Sequence, residues 1–216
     1  MTRVKICGVS APAHALAAAE AGADFIGMIL APSPRQVTTT QARSIVEAVR
    51  REAKAPRPKL VGVFVNAEAK AVNAAAAEAG LDLVQLSGDE DLDYLDGIEP
   101  PVIKAVHVSG REPGKVAALG LRRTLAHLRG ANAIPLLDTK VQGMYGGTGR
   151  AFDWEVAQDL AQDFQFLIAG GLTPDNIGQA LRRVHPWGVD VSSGVETGGV
   201  KDLAKIRAFI QAARAS

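Results

Sequence analysis

Short apolar segments alternate with longer amphipathic segments along almost the whole chain. The apolar segments are rich in Val, Ile and Leu and have the length of buried strands, whereas the segments between them are rich in Ala and show helical periodicity. The pattern predicts eight strands, over Arg3–Cys7, Asp24–Leu30, Lys59–Asn66, Asp82–Leu86, Val102–Val108, Ile134–Asp138, Phe164–Ala169 and Gly188–Ser192. It predicts helices over Ala13–Ala21, Thr40–Lys54, Ala67–Gly80, Trp154–Ala161, Pro174–Val184 and Val200–Ala213. Weaker patterns near Leu92–Leu95 and over Lys115–Arg129, where Gly120 is expected to break the helix, complete the alternation.

This alternation predicts a parallel sheet that is covered by helices on both faces or closed on itself. Eight strand–helix units in 216 residues fit the lower size limit of a closed (β/α)8 TIM barrel. An open, doubly wound sheet is the alternative, and it usually carries a Gly-x-Gly-x-x-Gly turn after its first strand. The segment Cys7-Gly8-Val9-Ser10-Ala11-Pro12 lacks that turn. We therefore predict an α/β fold, a single (β/α)8 barrel domain over residues 1–216.

Composition narrows the classes of partner and compartment. The 24 Lys and Arg residues nearly balance the 23 Asp and Glu residues, which gives no reason to expect nucleic acid or a membrane surface as a partner. The first residues lack the apolar stretch of a secretory signal, and no apolar run reaches the roughly 18 residues of a membrane helix. The single Cys excludes an internal disulfide and fits a reducing compartment. These observations predict a cytoplasmic globular protein, and they leave its oligomeric state open.

Two glycine-containing loops follow the last two predicted strands, where barrels commonly hold a phosphate. They are Gly170-Gly171-Leu172-Thr173-Pro174 and Ser192-Ser193-Gly194-Val195-Glu196. Glycine lets backbone N–H groups approach an anion, and Thr173 and Pro174 suit the first positions of a helix whose dipole favours negative charge. The alternative is that these glycines only permit tight turns. Two such loops on adjacent strands favour a phosphate site made by Gly170, Gly171, Ser192, Ser193 and Gly194.

A third glycine-rich loop, Val141–Gly149, follows the sixth predicted strand and includes Gly147. Four of the seven residues from 143 to 149 are glycine. Glycine loses more conformational entropy on folding than other residues, so this many glycines destabilise the folded state unless the function requires them. The loop is therefore predicted to be a lid that orders over a substrate. A plain surface loop is the alternative.

Cys7 ends the first predicted strand at the rim where barrel active sites lie. Lys5 lies two residues earlier and points to the same side of the strand. A nearby ammonium lowers the pKa of a thiol, so the pair predicts a thiolate base near neutral pH. The alternative is that Cys7 is a small buried hydrophobic residue.

Asp138 is a carboxylate at the carboxyl end of a predicted strand, directly after apolar Leu136-Leu137. Burial against such neighbours raises a carboxyl pKa, which suits a general acid. A turn-capping role is the alternative. Asp24 and Asp82, in contrast, begin strands and are expected at the opposite, stabilising end of the barrel.

Asp190 in the eighth strand is expected to face Lys5, because the eighth strand neighbours the first when a barrel closes and a buried ammonium needs a counter-charge. Arg35, in the stiff segment Pro32-Ser33-Pro34-Arg35, could bind a carboxylate with both arms of its guanidinium or stack on an aromatic ring. A solvated loop arginine is the alternative.

The four histidines show no metal-ligand spacing, and no metal is predicted. The set suits proton transfer on a small phosphorylated substrate.

These segments together resemble the phosphoribosylanthranilate isomerase family. The matching segments, in chain order, are Lys5-Ile6-Cys7-Gly8, Ser33-Pro34-Arg35, Val61-Gly62-Val63-Phe64-Val65-Asn66, Val84-Gln85-Leu86, Leu136-Leu137-Asp138, Gly146-Gly147-Thr148-Gly149 with Phe152-Asp153-Trp154, Ala169-Gly170-Gly171-Leu172 with Asn176, and Gly188-Val189-Asp190-Val191-Ser192-Ser193-Gly194-Val195-Glu196. The resemblance implies a (β/α)8 barrel that converts an aminoaldose, N-(5-phosphoribosyl)anthranilate, into an aminoketose by an Amadori rearrangement without a cofactor.

The resemblance also implies roles for individual residues. Cys7 matches the general base, Asp138 the general acid and Arg35 the residue that contacts the anthranilate. The loops after the seventh and eighth strands match the phosphate site. The sequence departs from the family at Ser87, where a His is usual, so no role is assigned there. Smaller departures are Arg150-Ala151 for Lys-Thr and Gly198-Gly199 for Pro-Gly.

Two other functions are alternatives for this sequence. The related histidine-pathway isomerase performs the same rearrangement on a bulkier substrate with two phosphates. It would normally carry an Asp at the end of the first strand, where this chain has Cys7. A barrel that binds a phosphorylated ligand without turning it over is the other alternative, against which Cys7 and Asp138 both argue.

Overall fold

Eight parallel strands close into a barrel in which each strand pairs with its neighbours in chain order and β1 pairs with β8. The coordinates are a computed structural model and describe residues 1–107, 115–138 and 154–215. The strands are β1 (Arg3–Ile6), β2 (Phe25–Ile29), β3 (Lys59–Phe64), β4 (Leu83–Leu86), β5 (Val102–His107), β6 (Ile134–Asp138), β7 (Leu167–Ala169) and β8 (Gly188–Val191). The predicted closed barrel is therefore confirmed.

Helices lie between the strands, as the alternation predicts. They are α1 (Pro12–Glu20), α2 (Thr39–Glu52), α3 (Ala69–Ala79), α4 (Lys115–Gly130), α5 (Trp154–Ala161), α6 (Ile177–Val184) and α7 (Leu203–Arg214). The start of α2 is fixed by a reciprocal capping box, in which the Thr38 hydroxyl accepts from the Gln41 N–H and the Gln41 side chain accepts from the Thr38 N–H. The end of α3 is fixed by Gly80 in the left-handed conformation, with φ at 70°.

Four sequence predictions about the helices were wrong in detail. Gly120 does not break α4, which is continuous. The segment near Leu92–Leu95 forms a short 3-10 turn over Asp93–Gly97 instead of an α-helix. The helix after β7 begins at Ile177, and Thr173 and Pro174 lie in the turn before it. The last helix begins at Leu203, because residues 196–201 form a small antiparallel hairpin of β9 (Glu196–Thr197) and β10 (Val200–Lys201).

Side chains on the inner face of the strands fill the barrel. The register fixes which these are, since laterally paired residues of parallel strands point to the same side. One cluster of buried apolar residues is contributed by six strands and includes no helix residue: Phe25, Val61, Leu83, Ile103, Ala105, Leu136 and Leu167. The same face continues through the register pairs Lys5 with Phe25 and Lys5 with Asp190, and His107 with Asp138. Apolar residues therefore fill the part of the barrel near the amino ends of the strands, and polar groups lie nearer the carboxyl ends.

Asp24 and Asp82 stabilise the amino end of the barrel, as predicted. The Asp24 carboxylate accepts from the Val4 N–H at 2.8 Å and from the guanidinium groups of Arg3 at 2.6 Å and Arg214 at 2.7 Å. Asp82 accepts from the Leu60 N–H at 2.8 Å. Each carboxylate therefore ties the start of one strand to its neighbour.

Replacing Asp24 by Asn is expected to lower the free energy of unfolding by about 2 kcal/mol near neutral pH, since charged hydrogen bonds are lost. Burial raises the pKa of Asp24, but the hydrogen bonds from Arg3, Val4 and Arg214 lower it more, and the net pKa lies below its ordinary value of 3.8. A depressed folded-state pKa gives stability that is present above 3.8 and is lost as the pH falls below it. Urea unfolding at several pH values should show the difference between the variant and the parent shrinking in acid.

Glu47 provides the matched control for this measurement. Its carboxylate pairs with Arg43 one helical turn away, and both side chains are 59% exposed. Glu47→Gln should leave the unfolding midpoint almost unchanged at every pH, because exposed ion pairs contribute little. An Asp24→Asn effect as small as that of Glu47→Gln would contradict the role assigned to Asp24.

Within the described residues, no helix is both long and apolar enough to cross a membrane.

Candidate active site

Cys7 lies at the carboxyl end of the barrel, directly after β1. Its N–H donates to the Val191 carbonyl of β8 at 2.8 Å, and only 6% of the residue is exposed. A Cβ atom added at Gly27 would lie 3.0 Å from Lys5 Nζ and 3.1 Å from Cys7 Sγ. The ammonium and the thiol therefore flank the same glycine of β2, and the absence of a side chain there is what leaves room for both.

Lys5 and Asp190 form a buried ion pair between the first and last strands. Lys5 Nζ donates to Asp190 Oδ1 at 2.9 Å, and the two side chains are 0% and 9% exposed. Burial lowers the pKa of Lys5, but the Asp190 carboxylate and Cys7 raise it above its ordinary value, so the side chain remains an ammonium. The predicted pairing of Lys5 with Asp190 is confirmed.

The structure does not give Cys7 the lowered thiol pKa that its spacing from Lys5 predicts. Burial raises the pKa of the Cys7 thiol above its ordinary value, and the neighbouring Lys5 opposes this shift without cancelling it. Asp190 adds to the rise because its carboxylate repels a thiolate. Spacing along a strand reveals the cation but not the amount of water removed from around the sulfur.

Asp138 ends β6 on the inner face of the barrel. Its side chain is 20% exposed, so it is mostly buried yet open at the rim. Asp138 is in register with His107 of β5, and His107 Nδ1 lies 3.9 Å from Asp138 Oδ2. The charge of Asp138 also acts on Asp190, which in turn acts on Cys7. The acid and base candidates therefore belong to one electrostatic cluster at one end of the barrel.

The two predicted phosphate loops are in contact with each other. A Cβ atom added at Gly194 would lie 1.8 Å from the Leu172 carbonyl oxygen, so only glycine allows this approach. Gly170 and Gly171 have φ of 108° and 64°, in the region that favours glycine. Asn176 holds the first loop by accepting from the Thr173 N–H at 2.8 Å and donating to the Gly171 carbonyl at 2.9 Å.

The two serines of the second loop differ in exposure, and the Ser192 hydroxyl lies beside Gly8, where an added Cβ would be 3.0 Å from its Oγ. Ser192 is partly buried next to the end of β8, and Ser193 is exposed. Their hydroxyls and the glycine backbone lie at the same end of the barrel as Cys7. The glycine-rich loop that includes Gly147 lies outside the described residues.

Arg35 holds a carboxylate with both arms of its guanidinium. Nε and Nη2 each donate to Glu196 at 2.7 Å, and the Arg35 side chain is 29% exposed. Burial raises the pKa of Glu196, but Arg35 and Lys201 lower it further than burial raises it. The carboxylate that occupies Arg35 therefore comes from the protein's own β9.

Sequence reasoning missed Glu196 and Lys201 as site residues. Val200 and Lys201 were counted as the start of the last helix, which hid the hairpin that returns Lys201 to the site. The sequence pattern indicates Glu196 only as part of the segment after the eighth strand. A Gly-Gly pair at 198–199, with φ of 59° and 81°, is the signal that could have indicated the turn.

The parts of the chain that the structure describes contain no cluster of three or more His, Cys, Asp and Glu side chains suited to a metal ion. They do contain a thiol, a carboxyl group, buried cations and two joined glycine loops, all at the carboxyl end of the strands. The fold and this arrangement define a (β/α)8-barrel enzyme.

Comparison with known proteins identifies the particular family. A family model described as N-(5'phosphoribosyl)anthranilate (PRA) isomerase matches residues 4–212. The chain therefore belongs to the N-(5'-phosphoribosyl)anthranilate isomerase family, and it is an isomerase of tryptophan biosynthesis.

Individual relatives agree along their full length. An N-(5'-phosphoribosyl)anthranilate isomerase of Roseiflexus castenholzii is 50% identical, over 99% of this chain and 98% of the relative. One from Dehalococcoides mccartyi is 43% identical, over 98% and 95%. The crystal structure of phosphoribosyl anthranilate isomerase from Thermotoga maritima matches with a TM-score of 0.83 and 37% identity over 100% of both chains. A structure of such an enzyme in complex with reduced 1-(o-carboxyphenylamino)-1-deoxyribulose 5-phosphate matches with a TM-score of 0.81 and 34% identity, also over 100% of both.

Proposed function

We propose that Asp138 and Cys7 are the general acid and general base of this isomerase. The substrate would be N-(5-phosphoribosyl)anthranilate and the product 1-(2-carboxyphenylamino)-1-deoxyribulose 5-phosphate, handled by one barrel domain over residues 1–216. The observation that carries the proposal is the position of the two groups. Cys7 follows β1 and Asp138 ends β6, on the same end and the inner face of one closed barrel.

The first step is ring opening, and Asp138 is suited to it. A protonated Asp138 gives its proton to the furanose ring oxygen, the bond from that oxygen to C1 breaks, and the nitrogen lone pair forms a protonated Schiff base. A carboxyl group that is mostly buried but open at the rim can reach the ring oxygen of a bound sugar. Asp138 leaves this step as a carboxylate.

The second step is removal of the proton at C2, for which Cys7 must be a thiolate. The C2–H electron pair moves into a C1–C2 double bond and neutralises the Schiff-base nitrogen, which gives an enolamine. Its tautomerisation moves the hydroxyl proton to C1 and forms the ketone. Return of one proton from Cys7 to Asp138 then restores both groups, so no atom is gained or lost.

The ends of the substrate would be held by groups that flank this pair. Backbone and hydroxyl groups of Gly170, Gly171, Ser192, Ser193 and Gly194 bind the phosphate, and contact between the two loops preorganises that site. Arg35 contacts the anthranilate portion of the substrate, and its two hydrogen bonds to Glu196 fix the orientation of its guanidinium. Asp190 acts through Lys5. Gly147, which follows β6 in the sequence, is a further proposed substrate-binding residue. A cytoplasmic location suits the single free thiol.

The decrease of substrate fluorescence on the purified protein tests the proposed activity directly, because the anthranilate group reports conversion of the aminoaldose. We expect turnover that saturates with substrate. Binding of the substrate without its conversion would contradict the catalytic proposal and support a binding protein.

Replacing Gly194 by Ala is expected to raise KM by about tenfold or more, because the added Cβ cannot coexist with the Leu172 carbonyl at 1.8 Å and the two loops must separate. Inhibition by inorganic phosphate should weaken in parallel. Gly120 of α4 is the control, since its φ, like that of Gly194, lies outside the positive region and an added Cβ there meets no atom within 4 Å. A Gly194→Ala variant that folds and keeps its affinity for phosphate would contradict the two-loop site.

A further inference from the structure

The hairpin after β8 returns a lysine to the active-site end of the barrel. Lys201 of β10 is in register with Glu196 of β9, and their side chains are 2% and 5% exposed. Lys201 Nζ donates to a Glu196 carboxylate oxygen and to the Ser192 carbonyl at 3.1 Å. The ammonium is therefore buried and held in place from two directions.

This ammonium lies over the residue that follows Cys7. A Cβ atom added at Gly8 would lie 3.4 Å from Lys201 Nζ, 3.0 Å from Ser192 Oγ and 2.8 Å from Arg35 Cδ. Gly8 has φ of 73°. Because it has no side chain, the Lys201 ammonium can lie close to the backbone that follows Cys7. Lys5 approaches Cys7 from the barrel interior, and Lys201 approaches from the rim.

Among the described groups nearest to Cys7, positive charges outnumber negative charges by one. Its surroundings hold three cations and two carboxylates, namely Lys5, Arg35, Lys201, Asp190 and Glu196. Asp138 of β6 acts on Asp190, and His107 of β5 lies 3.9 Å from Asp138. On the other side, burial and the charge of Lys201 lower the pKa of His14 of α1, and Lys205 of α7 donates to the Glu196 carbonyl at 2.7 Å. When Asp138 carries its proton as a general acid, the cluster has an excess of one positive charge. A thiolate at Cys7 removes that excess.

We propose that Lys201 is a positioning residue that stabilises the Cys7 thiolate from the rim of the barrel, with Glu196 fixing its ammonium in place. The inference rests on the proposed role of Cys7 as the base. It gives the short hairpin a function beyond connecting β8 to α7, and it explains how a thiol that burial disfavours as an anion can lose its proton when Asp138 is protonated.

The pH dependence of Cys7 alkylation by iodoacetamide tests this proposal without substrate. The chain has a single Cys, so incorporated label reports only this thiol. Lys201→Met should raise the midpoint of the rate profile by about one unit or more, the usual effect of losing an opposite charge at close range, so that alkylation below the midpoint slows about tenfold. The midpoint is the readout because altered access changes only the plateau rate.

Lys104 supplies a matched control. It is also a buried lysine paired with a glutamate, with Nζ 2.8 Å from Glu90 Oε2 and side chains 8% and 2% exposed, but it lies on β5, where it also donates to the Gly88 carbonyl. Lys104→Met should leave the alkylation midpoint where it is in the parent. Lys201→Gln keeps a hydrogen-bond donor without the charge and provides a second reading if the Met variant does not fold.

The outcomes separate this proposal from the proposed function. A folded Lys201→Met or Lys201→Gln variant with the parental midpoint, or an equal shift in Lys104→Met, would overturn the role of Lys201. In the isomerase assay the Lys201 variants should lose kcat more than they change KM, since substrate contacts remain. Full turnover by Cys7→Ala would instead reject the base assignment, while the alkylation midpoint would still measure the effect of Lys201.

Discussion

Cys7→Ala and Asp138→Asn are each expected to lower kcat at least ~100-fold, the usual contribution of a general base or acid. Alanine leaves no group at this position that can accept the C2 proton, and asparagine cannot donate a proton to the ring oxygen. Both changes are small enough to keep the fold, since Cys7 is a compact side chain and Asn has the shape of Asp. Steady-state kinetics by substrate fluorescence, with circular dichroism of each variant, would measure both effects.

A variant that combines Cys7→Ala with Asp138→Asn tests whether the two residues act together, and a third variant serves as a structural control. If the two groups act in one proton cycle, the double variant should be little slower than the slower single variant, since such effects are not additive. Asp82→Asn removes a partly buried carboxylate at the opposite end of the barrel, where it accepts from the Leu60 N–H, and it should lower stability but not kcat. Turnover near the parental rate in either single variant would reject that residue's assignment.

Asp190→Asn is expected to lower the free energy of unfolding by about 3–5 kcal/mol, because it leaves the Lys5 ammonium buried without a counter-charge. Lys5 is fully buried and Asp190 is 9% exposed, so water cannot replace the lost carboxylate. Urea unfolding followed by fluorescence or circular dichroism would measure the change. The loss should be larger than that of Asp24→Asn, whose partners are partly exposed.

The pair can be separated from simple packing by a double variant. Lys5→Met with Asp190→Asn removes the unpaired charge and should recover a substantial part of the lost stability. If Asp190→Asn alone were no less stable than the double variant, the ion pair would not be what stabilises the closure of the barrel.

The barrel and the Lys5–Asp190 pair could be predicted because both follow from periodicity. Alternating apolar and amphipathic segments determine the fold class, and two-residue spacing on strands determines which side chains face inward. Closure then brings β1 beside β8, so Lys5 and Asp190 must meet. The glycines at 171 and 194 were also informative, because a backbone conformation or contact that excludes other residues leaves a trace in the sequence.

The pKa of Cys7 and the positions of Lys201 and Glu196 could not be predicted, because they depend on tertiary packing, which the local sequence pattern does not contain. The pKa of Cys7 is decided by burial as well as by Lys5, and burial is known only after packing. Lys201 was assigned to a helix because a two-residue strand is too short to have a periodicity. The pairing of Arg35 with Glu196 joins loops far apart in the chain, and no spacing rule connects them.

The ion pair between β1 and β8 also has a consequence for the order in which the chain assembles. Its two members are separated by 185 positions, so a growing polypeptide exposes its first strand long before the counter-ion of Lys5 has been synthesised. Until then the ammonium has to stay hydrated, and a premature half-barrel cannot bury that strand without a penalty. Translation of the final quarter of the chain therefore sets the moment at which the first strand can leave water.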